Sequence, residues 1–325
     1  MTAPLSTHFA NPGLVALACG ILLSSCGGGG GGGGTAPVLA VPTLSQLDAT
    51  ATSANAASTG EDTALAVDSV IDRTSALALA MPAGVVSATV ACAGGGSATL
   101  SISGGTLAGE LDGQLDAGEH YSVVFAQCSD SAGSGRLNGS AELDVISADR
   151  STSPETLALR LSVNHLELAQ PSGTVTLDGT ASASRSVTTG NGMTTTVSHI
   201  SVPSATLATA FNGRGAQFTV SDLDATRTVT SVDGVTTASR FDGHMTLTGS
   251  ADGRSLSLTF ATTGNMTHDG SGALVSGTWT VVRPDATITT TVANGLVFMT
   301  ADDGNDGTID HTWTSTTAEL EAAAG

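Results

Sequence analysis

The stretch 156–163 reads TLALRLSV, with Leu157, Leu159, Leu161 and Val163 in one phase and Thr156, Arg160 and Ser162 in the other. An apolar period of two marks a strand with one face buried. The same alternation recurs at 86–91 (VSATVA), 97–103 (SATLSIS), 121–126 (YSVVFA), 256–260 (LSLTF) and 278–282 (TWTVV). Asp-Gly or Asn-Gly pairs punctuate these runs, among them Asn191-Gly192, Asn212-Gly213, Asp233-Gly234, Asp252-Gly253 and Asn294-Gly295. Such pairs favour the positive φ of hairpin turns. Three similar triplets, Leu137-Asn138-Gly139, Leu177-Asp178-Gly179 and Phe241-Asp242-Gly243, read as strand beginnings or bulges. Their irregular spacing argues against a solenoid or propeller, which need a fixed period. No long run alternates strands with helices, so a parallel sheet is not expected. The expected fold is all-β: an antiparallel meander over 61–325, forming one large curled sheet, a sandwich or a barrel-like domain. Ahead of it, 61–80 (EDTALAVDSVIDRTSALALA) reads as a short N-terminal helix.

Composition narrows the function classes. The chain has 325 residues, 10 basic against 29 acidic, and a net charge of −19; every basic residue is Arg. The absence of Lys excludes a P-loop, a Schiff-base enzyme and a Ser-Lys hydrolase. The negative charge, with no basic cluster to offset it, excludes nucleic acid as a partner. Aromatic residues are 3% of the chain, too few for base-stacking platforms. Hydrophobic residues are 40%, enough to build a core.

The N-terminus reads as an address and a tether. Residues 14–23 (LVALACGILL) are an apolar run too short to span a bilayer and suited to the core of a signal peptide. They lead into Leu23-Ser24-Ser25-Cys26, which resembles the bacterial lipobox. The resemblance implies cleavage after residue 25 and acylation of Cys26, with several chains on one residue giving a stable anchor. Gly27, rather than Asp, follows the Cys, which by the same resemblance implies the outer membrane of a Gram-negative bacterium. Eight consecutive glycines, 27–34, then open a flexible tether expected to run to residue 60.

Cys19 lies in the signal segment, which leaves Cys92 and Cys128 as an even pair in an exported chain. They are expected to form a disulfide. The run Cys92-Ala-Gly-Gly-Gly, then Leu115-Asp116-Ala117-Gly118-Glu119, Phe125-Ala-Gln-Cys128 and Leu137-Asn-Gly is similar to an uncharacterised family of proteobacterial lipoproteins. That resemblance implies a lipid-anchored β domain and transfers no activity.

Catalytic signatures are not evident: neither G-x-S-x-G nor HExxH occurs. The six His after the signal segment are scattered and read as exposed strand or turn residues. Trp279 and Trp313 read as core anchors. One acidic stretch stands out, Asp302-Asp303-Gly304-Asn305-Asp306-Gly307-Thr308-Ile309-Asp310. It resembles a calcium loop, with Asp302, Asp306 and Asp310 at ligand positions and Asp303 or Asn305 as substitutes for the ligand lost at Gly304. Ca²⁺ is the one candidate cofactor. The expected function is a lipid-anchored envelope lipoprotein with a non-enzymatic binding or structural role. Its partners would be the membrane through the lipid, and an envelope protein or an apolar ligand. The alternatives are a periplasmic carrier of a lipid or other apolar ligand, and a secreted hydrolase.

Overall fold

A computed structural model describes residues 44–81, 85–92, 94–105, 114–129, 136–170, 173–211, 214–251 and 254–323. The expected signal peptide, the polyglycine run and Cys26 lie outside them. The first element is a helix, α1 (Gln46–Ala80). Strands follow in one series: β1 (Ser87–Ala91), β2 (Gly95–Gly104), β3 (Glu119–Ser129), β4 (Arg136–Asp149), β5 (Glu155–Gln170), β6 (Gly173–Gly190) and β7 (Met193–Phe211). The series continues through β8 (Arg214–Val232), β9 (Val235–Ala251), β10 (Arg254–Asp269), β11 (Leu274–Val282), β12 (Ala286–Ala293), β13 (Leu296–Asp303) and β14 (His311–Thr316). A short helix, α2 (Thr317–Ala323), ends the described chain.

Each strand pairs antiparallel with the next, so the sheet order is the chain order. The result is a single meander that does not close: β1 and β14 are its edges. It is neither a sandwich nor a barrel. Strand length rises from five residues in β1 to nineteen in β7 and β8, then falls to six in β14. Burial alternates along the strands, as in β12, where every second residue from Ala286 is buried. The outward phase is largely Ser and Thr, whose hydroxyls meet across strands, as at Ser87–Ser101 and Thr89–Thr99, both 2.9 Å.

The inward face packs on α1, which lies against β2 and β7 to β12. The helix starts at Gln46, not at 61 as the sequence suggests, so 46–60 belong to the folded body rather than to the tether. Ser45 caps its N-terminus, its hydroxyl accepting from the Asp48 amide at 3.1 Å. Residues 49–57 (ATATSANAA) are buried without a break. A helix buried at nine successive positions is enclosed on all sides, and only small side chains leave room for that. Hydroxyls along the helix return to its own carbonyls, and Asn55 Nδ2 donates to Ala51 at 2.7 Å while Asn55 Oδ1 is left buried without a partner. Thr50 donates to the Gln46 carbonyl (2.8 Å), Thr59 to Asn55 (2.7 Å), Thr63 to Thr59 (2.7 Å) and Thr74 to Val70 (2.9 Å). Ser53 accepts from the indole N–H of fully buried Trp279 (2.8 Å) and pairs with Thr290 (2.6 Å). Trp279 is thus a core anchor, as expected; Trp313 is only half-buried and stacks on His311.

Asp-Gly and Asn-Gly pairs do two jobs. Asn191-Gly192, Asp233-Gly234 and Asn294-Gly295 have both residues at positive φ and close two-residue hairpins. Asn212-Gly213 and Asp252-Gly253 lie outside the described residues. The three recurrent triplets are instead bulges inside strands. Gln127 in β3 and His165 in β5 adopt left-handed φ, 52° and 49°. Their amides donate to Asn138 Oδ1 (2.8 Å) and Asp178 Oδ1 (2.5 Å) on the strand that follows each. In β9, Asp242 accepts from the Thr262 hydroxyl of β10. The pairing register slips at each place, between Phe125 and Cys128, Val163 and Leu166, and Ala261 and Met266. Further slips on the pairings between them, at Asn138/Ser140, Thr180/Ser182 and Ser221/Asp224, join these into a crease across the sheet. Bulges bend and twist a strand, so the crease curls the sheet around α1.

Gly139 shows how tight the crease is. It has φ 102°, and a Cβ there would strike the His165 carbonyl. Gly139→Ala is expected to cost more than about 2 kcal/mol in urea unfolding. Gly190→Ala, at a position with open space around it, is expected to cost under about 1 kcal/mol.

Candidate functional site

The inward phase of the sheet is apolar until it nears one end of the long strands, where it turns basic. In β6 the phase runs Ala181, Ala183, Arg185; in β8 it runs Leu223, Ala225, Arg227. Register places Arg185 beside Ser198 of β7, and Ser198 beside Arg227. Two guanidinium groups therefore flank one small buried residue on three adjacent strands. Asp68 of α1 faces this row. Its Oδ1 accepts from Arg185 Nη2 at 2.8 Å and its Oδ2 from Arg227 Nη1 at 3.0 Å. Asp72, one turn on, accepts from Arg185 Nη1 at 2.5 Å. Desolvation works against the Arg185 charge, but Asp72 and Asp68 more than offset it and hold the group above its ordinary range. Asp68 is almost fully buried, so both its oxygens need these partners.

Two turns earlier on the helix are Glu61 and Asp62. Burial, helped by the neighbouring Asp62 charge and opposed by Arg227, pushes Glu61 up to about 8. Burial alone pushes Asp62 up to about 7. His268 of β10 lies 3.6 Å from Glu61, and burial lowers its pKa despite the nearby Glu321 of α2. At neutral pH, Glu61 is largely protonated and His268 largely neutral. The interior thus holds a charged cluster around Asp68 and a neutralised acid–imidazole pair beside it.

On the adjacent stripe of α1, Thr59, Asp62, Thr63, Ala66, Val70 and Arg73 line a slot against β4 to β7. The sheet side is Leu137, Leu166, Leu168, Val175, Leu177 and Leu207. The cavity measures about 70 Å³. Asp62 Oδ2 is buried on its wall without a hydrogen-bond partner. The cavity exists because the helix presents Thr63 and Ala66 where longer side chains would meet the leucines.

The residues singled out in the sequence lie elsewhere. Cys92 and Cys128 form the expected disulfide, with Cα atoms 5.4 Å apart, and join the end of β1 to the end of β3. The acidic stretch forms the connection between β13 and β14. Asp302 accepts from the amides of Asp306 (3.0 Å) and Gly307 (2.8 Å), Asp306 from Thr308 (2.8 Å), and Asp310 from Asp303 (2.8 Å). Asn305 donates to the Arg283 carbonyl at 3.0 Å, and Asp303 accepts from the Leu44 amide at 3.1 Å. These carboxylates shape the loop through backbone amides. Among the described residues, no group of three or more His, Cys, Asp or Glu is placed to hold a metal ion. His165, His199 and His244 are exposed, as expected. His120, His311 and His268 are half-buried, with 38%, 29% and 16% of their side chains exposed.

Glu61, Asp62, Asp68, Arg185, Arg227 and His268 were not evident as a group in the sequence. The signal was there in part: Glu61, Asp68 and Asp72 are spaced seven and four apart, on one helical face. Arg185 and Arg227 also sit in the apolar phase of their strands.

Raised carboxyl pKa values mean that folding favours the protonated form. The resulting stability is full below the unfolded values near 4, and is lost as pH rises through about 7 and 8. His268 has the opposite sign: its contribution is present above its unfolded pKa and lost as pH falls below it. Stability by urea unfolding is therefore expected to decline from about pH 5 through about pH 8, by at least roughly 3 kcal/mol, and to level off above that. Glu61→Gln is expected to flatten the alkaline side; an unchanged slope would remove Glu61 as its source. Searches for similarity found no matching family model, no matching curated protein and no matching solved structure.

Proposed function

We propose that this chain is an outer-membrane lipoprotein, acylated at Cys26, that holds a β domain close to the membrane in a non-enzymatic binding or structural role. The observation that carries the reading is α1 itself. It fills the concave face, the place where a curled sheet would otherwise offer a large cleft. What remains for interaction is the outer face and the small slot beside the helix. The lipobox supports anchoring. The seventeen residues between Cys26 and Leu44, the first described residue, would span roughly 23 Å as a flexible linker. Leu44 is bound to Asp303, so the acidic connection between β13 and β14 lies at the end of the body where the tether arrives.

A second reading, carriage of an apolar ligand, is favoured by the slot. It is confined to small ligands, because the rest of the concave face is packed with the chain's own side chains.

Fractionation tests the first reading. The native chain is expected in the outer-membrane fraction, with a mature mass that includes acyl groups on residue 26. Cys26→Ser is expected to move it to the soluble or unprocessed fraction. A native chain recovered without acyl mass would overturn the reading.

A further inference from the structure

We propose that the free edge of β14 takes up an extended peptide segment of another protein as an added strand, uncharged at its centre and basic at its ends. The proposal rests on the binding role stated above and gives it a partner class. β14 borders the outer face, and among the described residues it pairs with β13 alone. Thr317 donates to the Gly295 carbonyl at 3.2 Å, so in this register the odd-numbered residues of β14 bond to β13. The even-numbered ones, Thr312, Thr314 and Thr316, turn their N–H and C=O groups to the free side. All three are exposed. Glu319 accepts from the Thr316 amide at 2.8 Å, which leaves Thr312 and Thr314 as the edge donors. Natural edges are blunted by Lys, Pro, a bulge or an inward charge. From His311 to Thr316 the strand has none of these and pairs with β13 residue for residue.

Side chains fix the kind of segment. Strand addition draws affinity from the main chain and specificity from alternate side chains. On the inward phase, half-buried His311 and Trp313 stack with ring centres 5.1 Å apart. Trp313 packs on the cluster of Leu44, Ala49, Ala286, Ile288 and Ala301. A residue set opposite Trp313 gains by being apolar. On the outward phase, Thr312 and Thr314 suit hydroxyl or β-branched neighbours. Both ends of the edge are acidic: exposed Asp310 precedes β14, and Glu319 sits on its last amide. Residues 284–325 contain neither Arg nor Lys to offset them. A second copy is therefore a poor occupant. Antiparallel pairing centred on Trp313 would bring Asp310 of each chain towards Glu319 of the other, and like charges across strands repel. Basic ends on the added strand meet the same carboxylates favourably.

The test uses the full chain carrying Cys26→Ser, which removes the proposed acyl anchor. The probe is a capped peptide, Arg-Val-Thr-Val-Thr-Val-Arg, titrated by calorimetry and by Trp313 fluorescence over the constant background of buried Trp279. The controls are the same peptide with Glu at both ends and the same peptide N-methylated at both threonines. The arginine peptide is expected to bind at least about tenfold more tightly than the glutamate peptide, and N-methylation to abolish binding. Thr314→Pro removes an edge donor and no bond to β13, so it is expected to keep the urea midpoint and lose binding. Should that variant not fold, the N-methylated peptide makes the same test from the other side. Glu319→Arg is expected to shrink the preference for arginine ends. No binding, or binding indifferent to N-methylation, would overturn the edge as a site. Equal binding of the arginine and glutamate peptides would overturn the partner class. A dimer in native mass spectrometry that Thr314→Pro dissolves would give the edge to a second copy and overturn the proposal. None of these results touches the anchoring reading, which fractionation decides separately.

Discussion

Nine consecutive buried residues in α1 set the terms for everything else in this fold. A helix is buried on one side when it lies on a sheet, and on every side only when other elements cover the rest: here the sheet comes round α1, and α2 packs on it with the Ala323 carbonyl accepting from Asn55 at 3.4 Å. The segment 49–57 contains nothing larger than Asn and Thr. It therefore gains little hydrophobic free energy of its own, and its role is to be a smooth rod on which the apolar phase of the strands closes. The cost of burying Thr and Ser is offset because their hydroxyls return to carbonyls of the helix, or, at Ser53, meet Trp279 and Thr290. The sheet supplies the large residues. Trp279, Tyr121, Phe218 and Phe260 are all almost completely buried and come from strands on both halves of the meander.

A flat sheet of this width could not enclose a rod. The crease of left-handed residues and in-strand glycines supplies the curvature, and Asn138, Asp178 and Asp242 lock it with side-chain hydrogen bonds between strands. The charged cluster does a different job. Hydrophobic packing of small side chains leaves a helix free to slide or rotate. Asp68, held by Arg185 and Arg227 at 2.8 and 3.0 Å, fixes one turn of α1 to one row of the sheet. That registration in turn keeps Thr59, Asp62 and Ala66 facing the leucines of β4 to β7, and so shapes the slot. Proton balance adds a pH dependence, because Glu61 and Asp62 are comfortable inside only while neutral.

The sheet was legible in the sequence because period two survives where every strand is half-buried. The hairpin turns were legible where the pair stands alone between strands, as at Asp233-Gly234. Leu177-Asp178-Gly179 uses the same chemistry inside a strand, and only the partner residue, His165 on the preceding strand, distinguishes the two cases. The first half of α1 was hidden for a physical reason. Amphipathic periodicity arises when one helix face meets water, and 49–57 has no such face. An Ala, Ser and Thr segment next to a polyglycine run then looks like more tether. Asp68 with Arg185 and Arg227 was hidden because it joins residues more than a hundred positions apart. The disulfide was legible from cysteine number together with the expectation that the chain is exported. The acidic loop drew notice for its spacing, which the fold uses to seat backbone amides.

Native-state hydrogen exchange across α1 tests the central claim most directly, because it reports the free energy at which each element opens. If the helix is the rod around which the sheet is built, amides of 49–57 and of the central strands β7 and β8 exchange together, at the free energy of global unfolding. If the helix is only an addition to a self-sufficient sheet, its amides exchange at a free energy well below that of the central strands, and the account fails.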